Sequence, residues 1–494
     1  MNKCYILLTL LIAGFTGALQ GSELKVKKAT ELQINLYDAY FKEHHERHIQ
    51  EVTELVAIPT LAMVKEHAPD LVKGAQYLAA KMKKIGLQEV KVHPAGGFPF
   101  VTGEWMKAKG EPTAVFYGHF DIQPVVKEQW NTDPFKATLK DGKLYGRGAT
   151  DDKGYIICIL STIEAMLEKD GRLPVNVKFI FDGSEEFGSQ TMSDWLAQKD
   201  MSTWIKQADY GFNVDAMMQS DDQGLMWRGL RGGVDVDVKV TVANTAVHSG
   251  IYGGSAPNAV HAAAKMIGSI FNDDGSVAIE GFQADVTRVS DTIRKELKVL
   301  EPSLASTFDK KKLSIAQWIG DKHFTVLEHT VVRNSLDVTG ITGGFEGKAS
   351  IVPPTAWFRM LARTGPGQDP AKLGEKIVNH LKKHTPWQAK VEITATAAGS
   401  APYFSQDHHG FKIGHAVLTD FFGKAPQVSY IGGGVPALSY VPDAGGPGLV
   451  SFGFQRSDEG FHADNEYMRV ESFKNGQRAY ALLLHALVGQ PARK

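Results

Sequence analysis

The sequence predicts an α/β fold: a mostly parallel sheet covered by helices on both faces, interrupted by an α+β segment with an antiparallel sheet. Residues 113–118 form a continuous apolar run, as in a buried strand, residues 175–181 form another predicted strand, and helical segments alternate with them. From about residue 230 the strands instead alternate apolar and polar residues, which is typical of antiparallel strands with one exposed face. The strand–helix alternation returns after about residue 401, so we expect the second segment to interrupt the first domain.

The first part of the larger domain spans residues 30–229. The predicted elements, in order, are helices within 30–60 and at 72–85, short strands at 91–96 and 100–106, a buried strand at 113–118, a helix after Gly154, and buried strands at 175–181 and 210–215. Gly86 marks the end of the second helix, because glycine is common just after a helix. We expect the strands from 113 onwards to form the centre of the sheet.

The interrupting segment spans residues 230–400, and the larger domain is completed by residues 401–494. Alternating strands are predicted at 232–244, 335–342, 348–353, 355–363 and 389–397, with helices at 258–270 and 371–384. The polar stretch 273–325 has no clear pattern, so no element is predicted there. After residue 401 we expect a helix at 408–423, a strand at 449–454 and a final helix at 470–488.

Length and charge limit the functional classes. The chain has 494 residues, too many for a single core, so two domains are expected. The formal net charge is −1 and no basic block is present, so a nucleic-acid partner is not indicated.

The N-terminal region predicts export. Residues 4–19 are apolar and follow Lys3, which indicates a signal peptide over residues 1–21 and a secreted or periplasmic protein without membrane attachment after cleavage. An uncleaved anchor is the alternative. After cleavage Cys158 is the only cysteine, so no intrachain disulfide can form, and its apolar helical setting predicts a buried structural thiol.

Two histidines and three carboxylates occur at positions expected to lie after strands or before helices. They are His119 in GHFD, Asp151 in GRGATDDKG, Glu186 in GSEEFGS, Asp215 in NVDAMM and His462 in GFHADNE. Imidazole and carboxylate ligands in this number suit a pair of divalent cations, most often zinc, although manganese and cobalt also bind such ligands. A pair of this kind indicates metal-assisted hydrolysis of an amide.

Each of these motifs also has a structural explanation. Asp121 can form a plain hydrogen bond with His119, Asp151 and Asp152 can cap a helix, and Glu185 and Glu186 can form a solvated loop pair. The glycine-rich segment around residue 148 lacks the spacing of a phosphate-binding loop. Other histidines are expected to have no role: residues 44, 45 and 48 are predicted to be solvated on a helix, and 408 and 409 to lie in a polar turn.

Together the motifs resemble the co-catalytic zinc peptidase family that includes carnosinase-type dipeptidases, carboxypeptidase G and succinyl-diaminopimelate desuccinylase. YGHFDIQPV, LYGRGATDDKG, SEEFGS, HSGIYGG and GFH are close to the dipeptidase branch and follow the family's order over about residues 35–490. Asp at position 215 also agrees with the dipeptidase and carboxypeptidase members.

The resemblance implies specific roles for the ligand residues. His119, Asp151 and Asp215 would hold one zinc, and Asp151, Glu186 and His462 the other. Glu185 would be the general base that takes a proton from a metal-bridging water, and Asp121 would orient His119. The bond between Asp151 and Asp152 is expected to be cis.

The resemblance also assigns the interrupting segment as a lid and dimerisation domain. His248, in HSGIYGG, would reach into the active site of the other subunit of a homodimer and stabilise the oxyanion. Arg363 would bind the substrate carboxylate, with Arg359 as the competing alignment. Gly434 replaces a serine that helps to bind substrate in dipeptidases, so the carboxylate pocket is expected to differ.

The predicted function is therefore a secreted dinuclear zinc exopeptidase that cleaves dipeptides or the C-terminal residue of short peptides. An N-acyl-amino-acid deacylase with the same metal machinery is the alternative. A catalytically inactive binding protein is disfavoured, because all five ligands are present.

Overall fold

The computed structural model describes residues 28–493 except 190, 285, 287, 288, 305–307, 312, 346 and 406. The predicted signal peptide, residues 1–21, lies outside the described residues. Among the helices that the structure describes, none combines the length and the apolar character needed to cross a membrane.

The described residues form helices and strands in the following order. The helices are α1 (Glu31–Glu43), α2 (His45–Val56), α3 (Ala68–Lys84), α4 (Lys153–Asp170), α5 (Met192–Ala197), α6 (Lys199–Lys206), α7 (Ser249–Tyr252), α8 (Ala259–Gly268), α9 (Asp291–Leu304), α10 (Val326–Val331), α11 (Pro370–Lys383), α12 (His409–Phe422), α13 (Ala437–Asp443) and α14 (Val470–Ala486). The strands are β1 (Gln88–His93), β2 (Phe100–Trp105), β3 (Thr113–His119), β4 (Thr138–Lys140), β5 (Lys143–Tyr145), β6 (Asn176–Asp182), β7 (Tyr210–Asn213), β8 (Met217–Ser220), β9 (Gln223–Leu230), β10 (Gly232–Thr241), β11 (Val247–His248), β12 (Ser335–Gly343), β13 (Ile351–Val352), β14 (Thr355–Thr364), β15 (Lys390–Ala398), β16 (Gln427–Ile431), β17 (Leu449–Ser451), β18 (Gln455–Arg456) and β19 (Tyr467–Arg469).

The central sheet has the strand order β1-β2-β6-β3-β7-β17. β6, β3, β7 and β17 are parallel, whereas β2 is antiparallel to β6 and to β1. One face packs through Phe116 and Phe179 against a core that includes α4 and α14. The other packs through Val115 and Ile180 against side chains of α5, α6 and α13. The predicted mostly parallel sheet with two covered faces is confirmed.

A second, antiparallel sheet has the order β12-β14-β10-β15. Val234, Val236 and Val238 of β10 point to a core shared with α8 and α11, and the residues between them lie on the other face. The alternation seen in the sequence thus corresponds to one covered and one open face. This sheet runs from residue 232 to residue 398; the domain boundaries at 230 and 400 remain predictions.

Some elements were not predicted from the sequence. Helix α9 lies within the stretch 273–325, where no element was expected. Its buried residues Ile293, Leu297 and Leu300 are four and three positions apart, the spacing of an amphipathic helix, so the signal was present in the sequence and was missed. Two small sheets, with the strand orders β16-β9-β8-β18 and β19-β5-β4, were also not predicted.

The expectation that His48 is solvated is wrong. Its side chain is fully buried, and Arg47 Nη2 donates to its Nε2 at 3.3 Å. His48 lies on the same face of α2 as Val52 and Leu55, so it is part of the stripe that packs on the core. Burial, followed by the nearby Arg47 charge, lowers the pKa of His48 to about 3. The predicted burial of Cys158 is confirmed.

We predict that the free energy of unfolding falls as the pH decreases from 6.5 to 5, in part because of His48. The unfolded chain protonates this histidine near pH 6.5, whereas the buried ring stays neutral down to a pKa of about 3. Between pH 6.5 and 5, this difference in protonation lowers the free energy of unfolding by at most about 2 kcal/mol. Chemical denaturation of His48→Gln should show a flatter pH dependence, and His409→Gln, at an exposed position, should match the wild type. Equal slopes for His48→Gln and wild type would contradict a buried neutral ring.

Candidate metal centre and active site

The predicted metal ligands come from loops that meet at the carboxyl edge of the central sheet. His119 is the last residue of β3, which lies between β6 and β7. Glu186 follows β6 and Asp215 follows β7, so three neighbouring strands lead to a potential ligand. Parallel strands present their carboxyl ends at one edge, and open α/β sheets form their sites there.

Asp151 and His462 join this group from two further segments. Asp151 lies just before α4, and its peptide bond to Asp152 is cis, as expected. The backbone amide of His119 donates to Asp152 Oδ2 at 3.3 Å, which holds the start of α4 against the end of β3. His462 has a φ of 63°, a left-handed conformation that is rare for residues other than glycine and is enriched at functional sites.

The two oxygens of the Asp151 carboxylate contact different histidines. Oδ1 lies 3.0 Å from His119 Nε2, and Oδ2 lies 3.1 Å from His462 Nε2. His119 Nε2 is also 3.8 Å from Asp215 Oδ2, and His462 Nε2 is 3.0 Å from Glu186 Oε2. The five side chains therefore form two groups of three that share Asp151.

The donor atoms fit a pair of divalent cations. Within each group, the ligand atoms lie within 4.8 Å of one another. Tetrahedral zinc with bonds of about 2.0–2.1 Å needs neighbouring ligand atoms about 3.3 Å apart, close to the 3.0–3.8 Å found here. His119, Asp151 and Asp215 can hold one cation, and Asp151, Glu186 and His462 the other.

The electrostatics of the site also suit cations. Burial, followed by repulsion from Asp151, raises the pKa of Asp215 to about 6, and burial raises the pKa of Glu186. Hydrogen bonds to Asp151 and Glu186 raise the pKa of His462 to about 10. Raised pKa values of this kind mean that a bound proton relieves the repulsion between neighbouring carboxylates. Divalent cations replace those protons when they bind.

Asp121 contacts both His119 and the loop that carries Glu185 and Glu186. Its Oδ1 lies 3.5 Å from His119 Nδ1, and its backbone oxygen lies 3.2 Å from the same nitrogen. The two carboxylate oxygens accept the backbone amides of Glu185 at 3.0 Å and Glu186 at 3.1 Å. A carboxylate beside the far nitrogen of a ligand histidine fixes the orientation of the ring. That role stays a prediction, and the contacts to the glutamate loop were not foreseen.

Two further residues that support the ligands were missed in the sequence. Gln455 Nε2 donates to Asp215 Oδ1 at 2.8 Å and to the backbone oxygen of Thr150 at 3.1 Å. Glu466 Oε1 accepts the backbone amides of Thr150 and Asp151 at 3.1 and 3.2 Å. Both residues come from the C-terminal part of the chain, more than 200 positions from the groups they contact. The sequence indicated a possible supporting role for Glu466 only through its position four residues after His462, and it gave no such indication for Gln455.

A cleft of about 450 Å³ opens beside the ligands. Its lining includes Glu185, Glu186 and His462 from the metal centre together with Arg231, Asp235, Arg363 and Gly434. The structure therefore brings the predicted base and both predicted substrate-binding residues to one cavity. Burial raises the pKa of Glu185 well above its usual range.

Two other candidates lie away from this cleft. Arg359 forms a bidentate pair with Asp237, at 2.9 and 3.1 Å, and does not line the cleft, which favours Arg363 over the competing alignment. His248 is exposed at the end of β11, where its Nδ1 accepts the backbone amide of Gly250. It is not among the residues that line the cleft of its own chain.

Comparison with known sequences identifies the family. The profile of peptidase family M20/M25/M40 matches residues 115–486. The chain belongs to this family. A cysteinylglycine-S-conjugate dipeptidase of Corynebacterium striatum is 29% identical over 413 residues, which cover 82% of this chain and 84% of that protein. The Cys-Gly metallodipeptidase dug1 of Schizosaccharomyces pombe is 24% identical and covers 92% of this chain and 98% of that protein.

Solved structures agree with this assignment. An M20 family metallo-carboxypeptidase from Sulfolobus solfataricus superposes with a TM-score of 0.74 at 25% identity, covering 89% of this chain and 99% of that chain. Human carnosine dipeptidase 1 gives a TM-score of 0.72 at 22% identity, covering 92% and 100%. The predicted fold class, the family and its dipeptidase branch are confirmed. The prediction that the protein is an enzyme, a metallopeptidase, is confirmed as well.

Arg231 is a second cationic group in the cleft that the sequence did not reveal. Its backbone amide donates to the oxygens of Ile431 and Gly433, and its Nε donates to Gly432 O at 2.8 Å. Burial, followed by the charge of Arg363, lowers the pKa of Arg231 to about 10, so it stays charged at neutral pH. The glycine loop 432–434 is thus wrapped around an arginine that faces the substrate cleft.

This packing gives a physical reason for glycine at position 434. A Cβ atom there would lie 2.8 Å from the backbone oxygen of Arg231, closer than carbon and oxygen can approach. At Gly433, by contrast, a Cβ would have no neighbour within 4 Å. A serine therefore cannot be introduced at position 434 without moving the loop.

We predict that Gly434→Ser destabilises the protein by about 1–3 kcal/mol, the usual cost of overpacking a tight site. Gly433→Ser is the matched control and should leave the melting temperature close to the wild-type value. Differential scanning calorimetry of the two variants measures the difference. Equal melting temperatures for both would show that the loop is not held against Arg231.

Proposed function

We propose that this M20 enzyme is a dinuclear zinc exopeptidase that hydrolyses dipeptides or removes the C-terminal residue of short peptides. The observation that carries the proposal is the Asp151 carboxylate, whose oxygens contact His119 and His462 within two three-residue groups beside a cleft. The names of the dipeptidase relatives support a dipeptide substrate.

His119, Asp151, Asp215, Glu186 and His462 would hold the two cations, which would supply Lewis acidity to the amide carbonyl and to the attacking water. Glu185 lines the cleft next to Glu186, where its carboxylate can accept a proton from the attacking water. The water oxygen forms the new bond to the carbonyl carbon. Glu185 then delivers the proton to the leaving nitrogen as the C–N bond breaks, which yields a carboxylic acid and an amine.

Arg231 and Arg363 support the exopeptidase assignment. Both residues line the cleft that also contains Glu185; Nε and Nη1 of Arg231 already donate to Gly432 O, His329 O and Ser335 Oγ, which fixes the position of its charge. A guanidinium binds a carboxylate through charge-assisted hydrogen bonds, so a free C-terminal carboxylate would be held at a fixed distance from the scissile bond. The pair favours substrates that end one residue beyond this bond.

The same pair leaves an N-acyl-amino-acid deacylase as a second candidate, because an N-acyl amino acid carries the same carboxylate. Metal-loaded enzyme should therefore be tested with free dipeptides and with N-acetyl and N-succinyl amino acids that share their C-terminal residue. A higher kcat/KM for the dipeptides supports the exopeptidase. Hydrolysis of the acylated compounds alone would replace it with the deacylase.

We also propose a homodimer in which His248 of each subunit completes the active site of the other. The surface around His248 supports this arrangement: Ile251 is 73% exposed, Tyr252 51% and Ile351 40%. Apolar side chains grouped in this way favour a protein partner. His248 carries a donor that can stabilise the oxyanion of the reacting carbonyl.

Export is part of the proposal, supported by the apolar residues 4–19 after Lys3. N-terminal sequencing of the protein from the extracellular or periplasmic fraction should find a start near residue 22. Recovery of the full-length chain only from the cytosol would contradict export.

We predict that Glu185→Gln retains both cations and lowers kcat by about 10²- to 10⁴-fold, because the proton acceptor is lost. Glu186→Gln should lose metal as well as activity, since it removes a ligand. Elemental analysis combined with turnover measurements separates the two effects. A Glu185→Gln enzyme with near wild-type kcat would rule out this residue as the base.

We predict that mixing inactive His248→Ala with inactive Glu185→Gln restores part of the activity. A mixed dimer contains one complete site, which combines Glu185 of one chain with His248 of the other. Co-purification of differently tagged chains must show that subunits exchange. Exchange without recovered activity, or full activity of a monomer, would contradict the shared site.

A further inference from the structure

The open face of the antiparallel sheet forms one wall of the cleft. On β10, Gly233 and Asp235 lie on this face because their neighbours Val234 and Val236 are buried in the core. Gly233 pairs with Arg363 of β14, and Asp235 pairs with Leu361. The wall therefore has two successive rows of residues, separated by two positions along the strands.

The two rows differ in charge. The first row has Arg363 at its centre, flanked by the small residues Gly233 and Ser335. An added Cβ at Gly233 would lie 3.8 Å from Arg363 Nη1, so the guanidinium extends across this glycine. A carboxylate bound by Arg363 would therefore rest against the first row.

The second row has Leu361 at its centre, with Asp235 of β10 on one side and Asp337 of β12 on the other. Both aspartates are exposed, and Leu361 is half-buried and lines the cleft. Positions two apart on a strand are about 7 Å from each other. The second row thus offers an apolar floor between two carboxylates, one extended side chain away from Arg363.

Asp235 forms no hydrogen bond or ion pair with the residues that the structure describes, although it lines the cleft. Asp237, on the same strand and face, is bound by Arg359 through both carboxylate oxygens. The charge of Asp235 acts on Arg359 only through space, so the carboxylate oxygens of Asp235 stay free to bind a ligand cation.

We propose that Asp235, assisted by Asp337, selects substrates whose C-terminal residue has a basic side chain; this rests on the proposed function, because it assumes that the C-terminal carboxylate binds Arg363. The methylene groups of a lysine or arginine side chain pack against Leu361, and its charged end contacts the aspartates. Acidic C-terminal side chains are repelled from the same position.

The test compares Ala-Lys, Ala-norleucine and Ala-Glu as substrates of the metal-loaded enzyme. Norleucine has the same methylene chain as lysine without the ammonium group, so the ratio of kcat/KM isolates the charge. We expect Ala-Lys to be preferred over Ala-norleucine by about 10-fold, the effect of one charge-assisted contact at a partly exposed site. Ala-Glu should be the poorest of the three.

Variants of the wall locate the source of this preference. Asp235→Asn should bring the ratio for Ala-Lys over Ala-norleucine close to one, and Asp235→Lys should make Ala-Glu the better substrate. Asp237→Asn is the matched control, since it changes an aspartate of the same strand that is already paired, and should keep the wild-type ratio. Melting temperatures check that each variant is folded.

Nα-acetyl-lysine and Nα-acetylnorleucine separate failure of the inference from failure of the proposed function. A lysine preference on these compounds alone supports the selection by Asp235 and replaces the peptidase with the deacylase. If the wild type hydrolyses the lysine and the norleucine compound of each pair at equal rates, the selection by Asp235 is wrong and the proposed function stands. The same holds if Asp235→Asn keeps the wild-type preference for lysine over norleucine. Hydrolysis of none of the compounds overturns both.

Discussion

The Asp151 carboxylate contacts a different histidine with each of its oxygens, and the rest of the site is arranged around these two contacts. His119 reaches Oδ1 from the end of β3, and His462 reaches Oδ2 from a loop near the C-terminus. The Glu466 carboxylate accepts the backbone amide of Asp151 and so fixes the backbone there. Three separate segments of the chain, which carry His119, Asp151 and the pair His462 and Glu466, therefore have to pack correctly before the Asp151 carboxylate could be shared by two cations.

The central sheet meets this requirement because β6, β3 and β7 are adjacent and parallel, so their loops converge. The antiparallel sheet then supplies the opposite wall, with Arg363 and Asp235 on its open face. The candidate ligands and the open face that lines the cleft thus belong to different sheets. On the proposed function, a change in the open face would alter specificity without disturbing the ligands.

The structure brings together the five residues that the sequence singled out as candidate ligands, and each could be found because it lies in a short motif next to a buried strand or before a helix. Arg231 and Gln455 could not be predicted, since their roles depend on contacts with residues about 200 positions away, Gly432 and Asp215. His48 was misjudged because a polar side chain on an apolar stripe looks solvated until the packing of α2 is known. The sequence indicated only that Gly434 replaces a serine, whereas the structure shows that the backbone oxygen of Arg231 leaves no room for a side chain there.

The central claim is that the Asp151 carboxylate bridges two cations. X-ray diffraction from zinc-loaded crystals, with data collected on both sides of the zinc absorption edge, measures this directly. The account predicts two anomalous peaks per chain, one next to His119, Asp151 and Asp215 and the other next to Asp151, Glu186 and His462. A single peak at saturating zinc, or two peaks that do not both contact Asp151, would contradict it.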